Sequence, residues 1–158
     1  AEAVQNFLFY ATDQIHKEGI YLSVDVFGEC SSEYVTAYGQ YWPAISNIVD
    51  AISSMPYTDH FGRSVDTWTN AYQTVNNWAK GASARQKEIP TPAVARTWIT
   101  AYDTPYWNPK VIYNAGKIED QVRALYDAGL DGGFITWNSA SSLAKYEQIK
   151  SAFAKNYG

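Results

Sequence analysis

A chain of 158 residues, 46% apolar and 18% charged, has the length and balance of one globular domain with a single core, so residues 1–158 are read as one unit. Its formal net charge is -4 and its 12 basic residues are scattered, which argues against a nucleic-acid partner, because a polyphosphate needs a clustered basic surface. No apolar run approaches the roughly 18 to 20 residues of a membrane helix, the single Cys30 excludes an internal disulfide, and His16 and His60 lie too far apart for a zinc-type metal motif.

The chain opens on Ala1-Glu2-Ala3, without Met or a signal-type segment, and is expected to be part of a longer protein. Val4, Leu8, Ala11 and Ile15 recur at helical spacing and predict a first helix, ended by Gly19. Ile20 to Phe27 is rich in β-branched and aromatic residues, is closed by Gly28, and reads as a strand. A loop follows from Glu29 to about Tyr38, then a helix from about Tyr41 to Val49 carrying Ile45, Ile48 and Val49.

Asp50 to Tyr57 reads as a second strand, ended by Pro56 and the polar Thr58-Asp59-His60. Asn70, with Gln73 three residues on in capping-box register, predicts the start of a helix running to about Lys87. Pro90 and Pro92 break the chain before a third strand, Ala93 to Tyr102, and Asp103-Thr104-Pro105-Tyr106-Trp107-Asn108-Pro109 reads as a long turn-rich loop. Ile118, Val122, Leu125 and Gly129 mark a further helix, Phe134 to Asn138 a fourth strand, and Leu143, Tyr146, Ile149 and Phe153 a closing helix.

One helix followed by four strand-helix units, with no hairpin turns, calls for parallel strands and crossover helices. Two architectures fit: a (βα)4 half of a TIM (β/α)8 barrel, or a doubly wound parallel sheet. No GxGxxG loop follows a strand, which removes the commonest nucleotide-binding form of the second, and no cofactor is expected.

Period-two alternation puts Leu22, Val24 and Val26 on one face of the first strand and Ser23, Asp25 and Phe27 on the other, so a carboxylate stands near the strand's C-terminal end. In barrels the active site is built at that end, from several strands at once. The second strand delivers Tyr57, Asp59 and His60, the third Arg96 and Trp98 and then Asp103, and the fourth Trp137 and Asn138. Carboxylates for proton transfer or attack, rings for stacking and polar groups for hydroxyl recognition are the needs of a sugar site. Asp25 is accordingly the expected nucleophile, base or electrostatic stabiliser. Its partner acid is Glu29, Asp59, Asp103 or a residue outside this chain, with Glu29 the first choice. Tyr57, Asp59, His60, Arg96, Trp98, Asp103, Trp137 and Asn138 are the expected substrate contacts. Each has a structural alternative: Asp25 could pair with Arg96 as a buried ion pair, Trp98 and Trp137 could be packing residues, and His60 an ordinary loop histidine.

Leu22-Ser-Val-Asp-Val-Phe-Gly28 resembles the (V/L)SADVFG motif of a family of glycoside hydrolase-like domains formerly catalogued as a domain of unknown function. The order continues with Gly39-Gln40, with Val49-Asp50-Ala51-Ile52-Ser53-Ser54-Met55-Pro56-Tyr57-Thr58-Asp59-His60-Phe61, similar to VDxISPMxYPSHY, with Tyr72-Gln73-Thr74-Val75, similar to PYxTV, and with Gly133-Phe134-Ile135-Thr136-Trp137-Asn138, similar to a closing GWxxWN. The motifs span nearly the whole chain in the family's order. The resemblance implies a TIM-type barrel of which this is the C-terminal half, a carbohydrate ligand, and an extracellular or cell-envelope setting.

Two departures stand out. Where the family has RPWLQDF this chain reads Arg96-Thr97-Trp98-Ile99-Thr100-Ala101-Tyr102, and the acidic strand that in the family precedes the opening helix is absent from this chain. Loss of the Gln-Asp pair favours the rival function, a non-catalytic carbohydrate-binding or envelope-associated domain. Four βα units alone leave two sheet edges and the inner face uncovered, so pairing with a second copy, or with the N-terminal half of the barrel, is expected.

Overall fold

The computed structural model describes residues 1–61, 65–104, 108 and 110–157. Helix α1 (Glu2–Lys17) follows the predicted stripe, burying Leu8, and gives way at Gly19, whose φ of +71° suits a residue without a Cβ. The first strand, β1 (Ser23–Phe27), begins three residues later than the composition suggests. The Asp50 carboxylate takes the Leu22 amide at 2.7 Å and His16 Nε2 at 2.7 Å, so the chain before β1 is tied to a side chain where a strand neighbour would sit. Ile20 and Tyr21 are left exposed.

Gly28–Ser31 forms a 3-10 turn, α2 (Trp42–Ser46) is shorter than its apolar pattern, and β2 (Ala51–Met55) follows. Two short helices lie where only loop is legible: α3 (Thr58–Phe61) and α4 (Val65–Thr69). In α5 (Ala71–Gln86) Asn70 Oδ1 accepts the Gln73 amide at 3.0 Å, as a cap should. The reciprocal half of the capping box does not form: the Asn70 amide donates to the Asp66 carbonyl at 3.0 Å, and the Gln73 side chain turns to Asn77 one turn on.

The expected third strand is broken at Arg96 into β3 (Val94–Ala95) and β4 (Thr97–Thr100). Of the turn-rich loop, Pro105, Tyr106, Trp107 and Pro109 lie outside the described residues; Thr104 and Val111 form an antiparallel bridge. Helix α6 (Ala115–Asp127), strand β5 (Phe134–Trp137), α7 (Leu143–Ile149) and a 3-10 turn at Lys150–Ala154 complete the chain.

All strand pairs are parallel: β1 with β2, β2 with β3, and β4 with β5. Because β3 and β4 are consecutive pieces of one strand, joined by the Arg96 amide donating to the Ile52 carbonyl at 2.9 Å, the strands follow one another in chain order. A doubly wound sheet would reverse that order at a switch point. Here Val26, Ile52, Ala95 and Ile99 of one sheet face share a single core with Trp42, Val75, Trp78, Ile118, Val122, Leu125 and Ile149 of the helices. One covered face, sequential order and parallel strands make a (βα)4 half-barrel.

The face opposite is largely open, although Ser53 on it is wholly buried. The registers Asp25↔Ser53, Ala51↔Val94 and Trp98↔Ile135 place Asp25, Ser53, Arg96, Trp98 and Trp137 there. Phe27, Val94 and Trp137 on it are 52%, 48% and 44% exposed, levels foreign to a finished barrel interior. Among the described residues no helix is long and apolar enough to cross a membrane.

Candidate active site

Asp25 stands on the open face at the C-terminal half of β1, and Glu29 follows in the 3-10 turn that Gly28 begins. That turn is fixed from behind, where Trp78 Nε1 of α5 donates to the Gly28 carbonyl at 2.9 Å. A Cβ at Gly28 would stand 2.2 Å from the Phe61 ring and 3.2 Å from Pro56 Cα, so the end of β1 meets the segment after β2 only because residue 28 is glycine. The sequence pattern places this glycine at a strand end; only packing shows that Phe61 needs it.

Asp25, Glu29, Tyr57, His60, Trp98 and Trp137 share one hollow of about 420 Å³, with Phe27, Met55 and Phe61 in its walls. Trp98 Nε1 donates to Asp25 Oδ1 at 2.9 Å, and the Trp98 and Trp137 rings meet edge to face at 6.1 Å and 85°. The Asp25–Arg96 ion pair does not form among the described residues: Asp25 is held by Trp98. Glu29 Oε2 accepts the Tyr38 hydroxyl at 3.3 Å. Burial, and after it the negative charges of Asp25 and Asp59, push the Tyr57 phenol up to about 12, so Tyr57 remains a hydrogen-bond donor across the ordinary pH range.

Arg96 is not brought to this mouth. It lines a separate hollow with Tyr21, Ser23 and Asp50 toward the N-terminal ends of the strands, because its alternation places it two residues below Trp98 on the same face.

His60 and Trp137 also wall a second hollow of about 440 Å³, with Tyr102, Asp103, Asn138, Ser139, Ala140, Ser142 and Lys145. The Asp59 side chain is only 1% exposed, and its Oδ1 accepts the Tyr102 hydroxyl at 2.6 Å and faces His60 Nδ1 at 2.9 Å. The Asp59 carboxylate therefore orients the 67% exposed His60 ring. Asp103 Oδ1 accepts from Lys145 Nζ at 2.7 Å and from the Tyr113 amide at 2.9 Å. Burial draws the Asp103 pKa upward, but the Lys145 hydrogen bond, the Tyr113 amide and the Lys145 and Lys110 charges outweigh it and hold the carboxyl below its ordinary value. Asn138 is 7% exposed and spends its amide on its own loop, Nδ2 donating to the Ser142 carbonyl at 3.3 Å and Oδ1 accepting the Ala140 amide at 3.2 Å. Sequence reasoning missed Tyr102 and Lys145 as the holders of Asp59 and Asp103; their residue types carried no signal, since the pairings are 43 and 42 residues apart.

The positions that differ from the family pattern also have a physical account. Thr100 and Ala101 are wholly buried. Thr100 Oγ1 accepts the Thr58 amide at 3.2 Å, and its backbone is clasped by Gln121, which takes the Thr100 amide and donates to the Thr100 carbonyl, both at 2.9 Å. These positions present nothing to either hollow.

Among solved structures the chain is similar to bee venom hyaluronidase in complex with a hyaluronic acid tetramer, at 17% identity and a TM-score of 0.47, over 72% of this chain and 34% of that one. It thus spans about a third of that protein's length. No curated protein matches it. A family model described as "Putative glycosyl hydrolase domain" matches residues 1–143, nearly the whole chain, so this protein belongs to that family.

Proposed function

We propose that the chain is the carbohydrate-acting C-terminal half of a glycoside hydrolase-type barrel, with Asp25 and Glu29 as its reacting carboxylates and Trp98 and Trp137 as its sugar platform. The observation that carries this reading is the setting of Asp25: at a strand's C-terminal end, in one hollow with Glu29, and tied through one oxygen to an indole that is itself packed against a second. Cleaving a glycosidic bond requires protonating the leaving oxygen while a carboxylate, or a water it activates, attacks the anomeric carbon. Asp25, oriented by Trp98, supplies the attacking or base function, and Glu29 the proton. The two rings offer apolar faces to a pyranose, and the protonated Tyr57 offers a donor to a sugar oxygen.

The test is turnover of storage and cell-wall polysaccharides by the chain and by Asp25→Asn. Asparagine keeps the Trp98 bond but neither attacks nor accepts a proton, so turnover should fall by at least about a hundredfold with binding retained. Turnover unchanged by the substitution overturns the assignment.

A second reading, a binding domain without chemistry, is favoured by the burial of Thr100 and Ala101 in place of the family's amide and carboxylate. Saccharide binding by the wild-type chain without turnover on any glycan, both alone and together with the N-terminal half of the barrel, would establish it.

A further inference from the structure

We infer that the second hollow is a sugar subsite adjoining the first, so that the ligand is a linear oligosaccharide of at least two units crossing Trp137 and His60. This rests on the reading of the first hollow as a sugar site. The two hollows are neighbours with a common wall, since Trp137 and His60 line both. The Trp137 and Trp98 rings meet edge to face in the first hollow and Trp137 is 44% exposed, so a ligand seated against Trp98 adjoins Trp137, which borders the second hollow as well. Aromatic contacts continue along the boundary: Tyr57 lies 5.9 Å from the His60 ring and 6.3 Å from Tyr102, which itself faces the second hollow.

The shared wall carries a polar group of fixed orientation. With Nδ1 held on the buried Asp59 at 2.9 Å, the Nε2 atom of His60 is the ring's remaining polar atom, placed to meet a hydroxyl on either side of the junction. The two hollows differ in chemistry. Phe27, Met55 and Phe61 help line the first, whereas Ser139, Ser142, Lys145 and Asp103 line the second. An apolar leaving group lodged there would desolvate those groups without replacing their bonds, and a second sugar would not. The wall is also preformed. Ser141 holds a φ of 49°, unusual for a residue with a side chain, while its amide donates to the Asn138 carbonyl at 2.9 Å and the Asn138 side chain ties down both Ala140 and Ser142.

The experiment titrates the full chain with glucose- and N-acetylglucosamine-based oligosaccharides of one to four units, and with the methyl and aryl glycosides of the same sugars, followed by calorimetry. The expected result is a gain of about tenfold in affinity from one unit to two, with no such gain for the aryl glycoside. Ala140→Trp, which fills the second hollow from an exposed position, should abolish the gain and leave one-unit binding unchanged. Ser139→Tyr provides the same block should the first variant fail to fold, and Ala140→Ser should keep the gain. Equal affinity for one and two units, an equal gain from the aryl group, or a gain that survives both blocking variants overturns the second subsite while leaving the first hollow's reading intact. Absence of binding by every saccharide overturns both.

Discussion

The two faces of the sheet differ in almost every physical respect. On the helix-covered face Val26, Ile52 and Ile99 are 2%, 0% and 1% exposed and are packed by α2, α5 and α6. On the open face Asp25, Arg96 and Trp137 are exposed and their neighbours across the strands are polar or aromatic. Alternation along a strand separates the two by a single residue. The packing that holds the sheet is thus on one side of each strand and the candidate site on the other, and neighbouring positions should respond oppositely to substitution.

The largest effect belongs to the covered face. Ile52→Ala removes a wholly buried side chain and is expected to cost about 2 to 5 kcal/mol of unfolding free energy, measured by denaturant titration; a loss under about 1 kcal/mol would mean the helices do not hold the sheet as described. Next comes Gln121→Ala, which strands the buried Thr100 amide and carbonyl that Gln121 clasps, at about 2 to 3 kcal/mol.

Asp103 tests the boundary between the faces through pH. Its folded-state pKa lies below the ordinary carboxylate value, so on acidification the unfolded chain takes up this proton first. The stabilisation is present above the unfolded-state pKa of about 4 and is lost as pH falls through the folded value. Asp103→Asn should therefore show a shallower loss of thermal stability between pH 5 and pH 2 than the wild type, at a cost of about 1 kcal/mol at neutral pH; parallel curves would sink the Lys145 pairing. Smallest of all, Asp25→Asn should shift unfolding by no more than about 0.5 kcal/mol, whatever it does to the turnover that the proposed function expects of Asp25. A much larger shift would make Asp25 part of the scaffold.

How far the sequence could be read follows the same division. The helical stripe of α1, the Asn70 cap and the alternation that aims Asp25 away from Val26 are local, period-based features, and the structure keeps them. Features that depend on distant partners were not legible. The delayed start of β1 comes from Asp50, 28 residues on. The helix α3 forms within a polar stretch that is anchored at its first residue, Thr58, by Thr100 and Tyr113. The candidate site divides likewise: Asp25, Trp98 and Trp137 were placed by strand position, whereas the attachment of Asp103 to Lys145 and of Asn138 to its own loop arises from contacts that no spacing encodes.

The interruption at Arg96 leaves a seam in the sheet, with β1, β2 and β3 on one side and β4 and β5 on the other. Asp25 belongs to the first group and Trp98 and Trp137 to the second, so the Asp25–Trp98 bond is a strut across that seam. A saccharide seated between them would staple the two groups together, and its arrival could be followed without any chemistry, as slowed amide deuteration along β4 and β5 and a change in indole fluorescence.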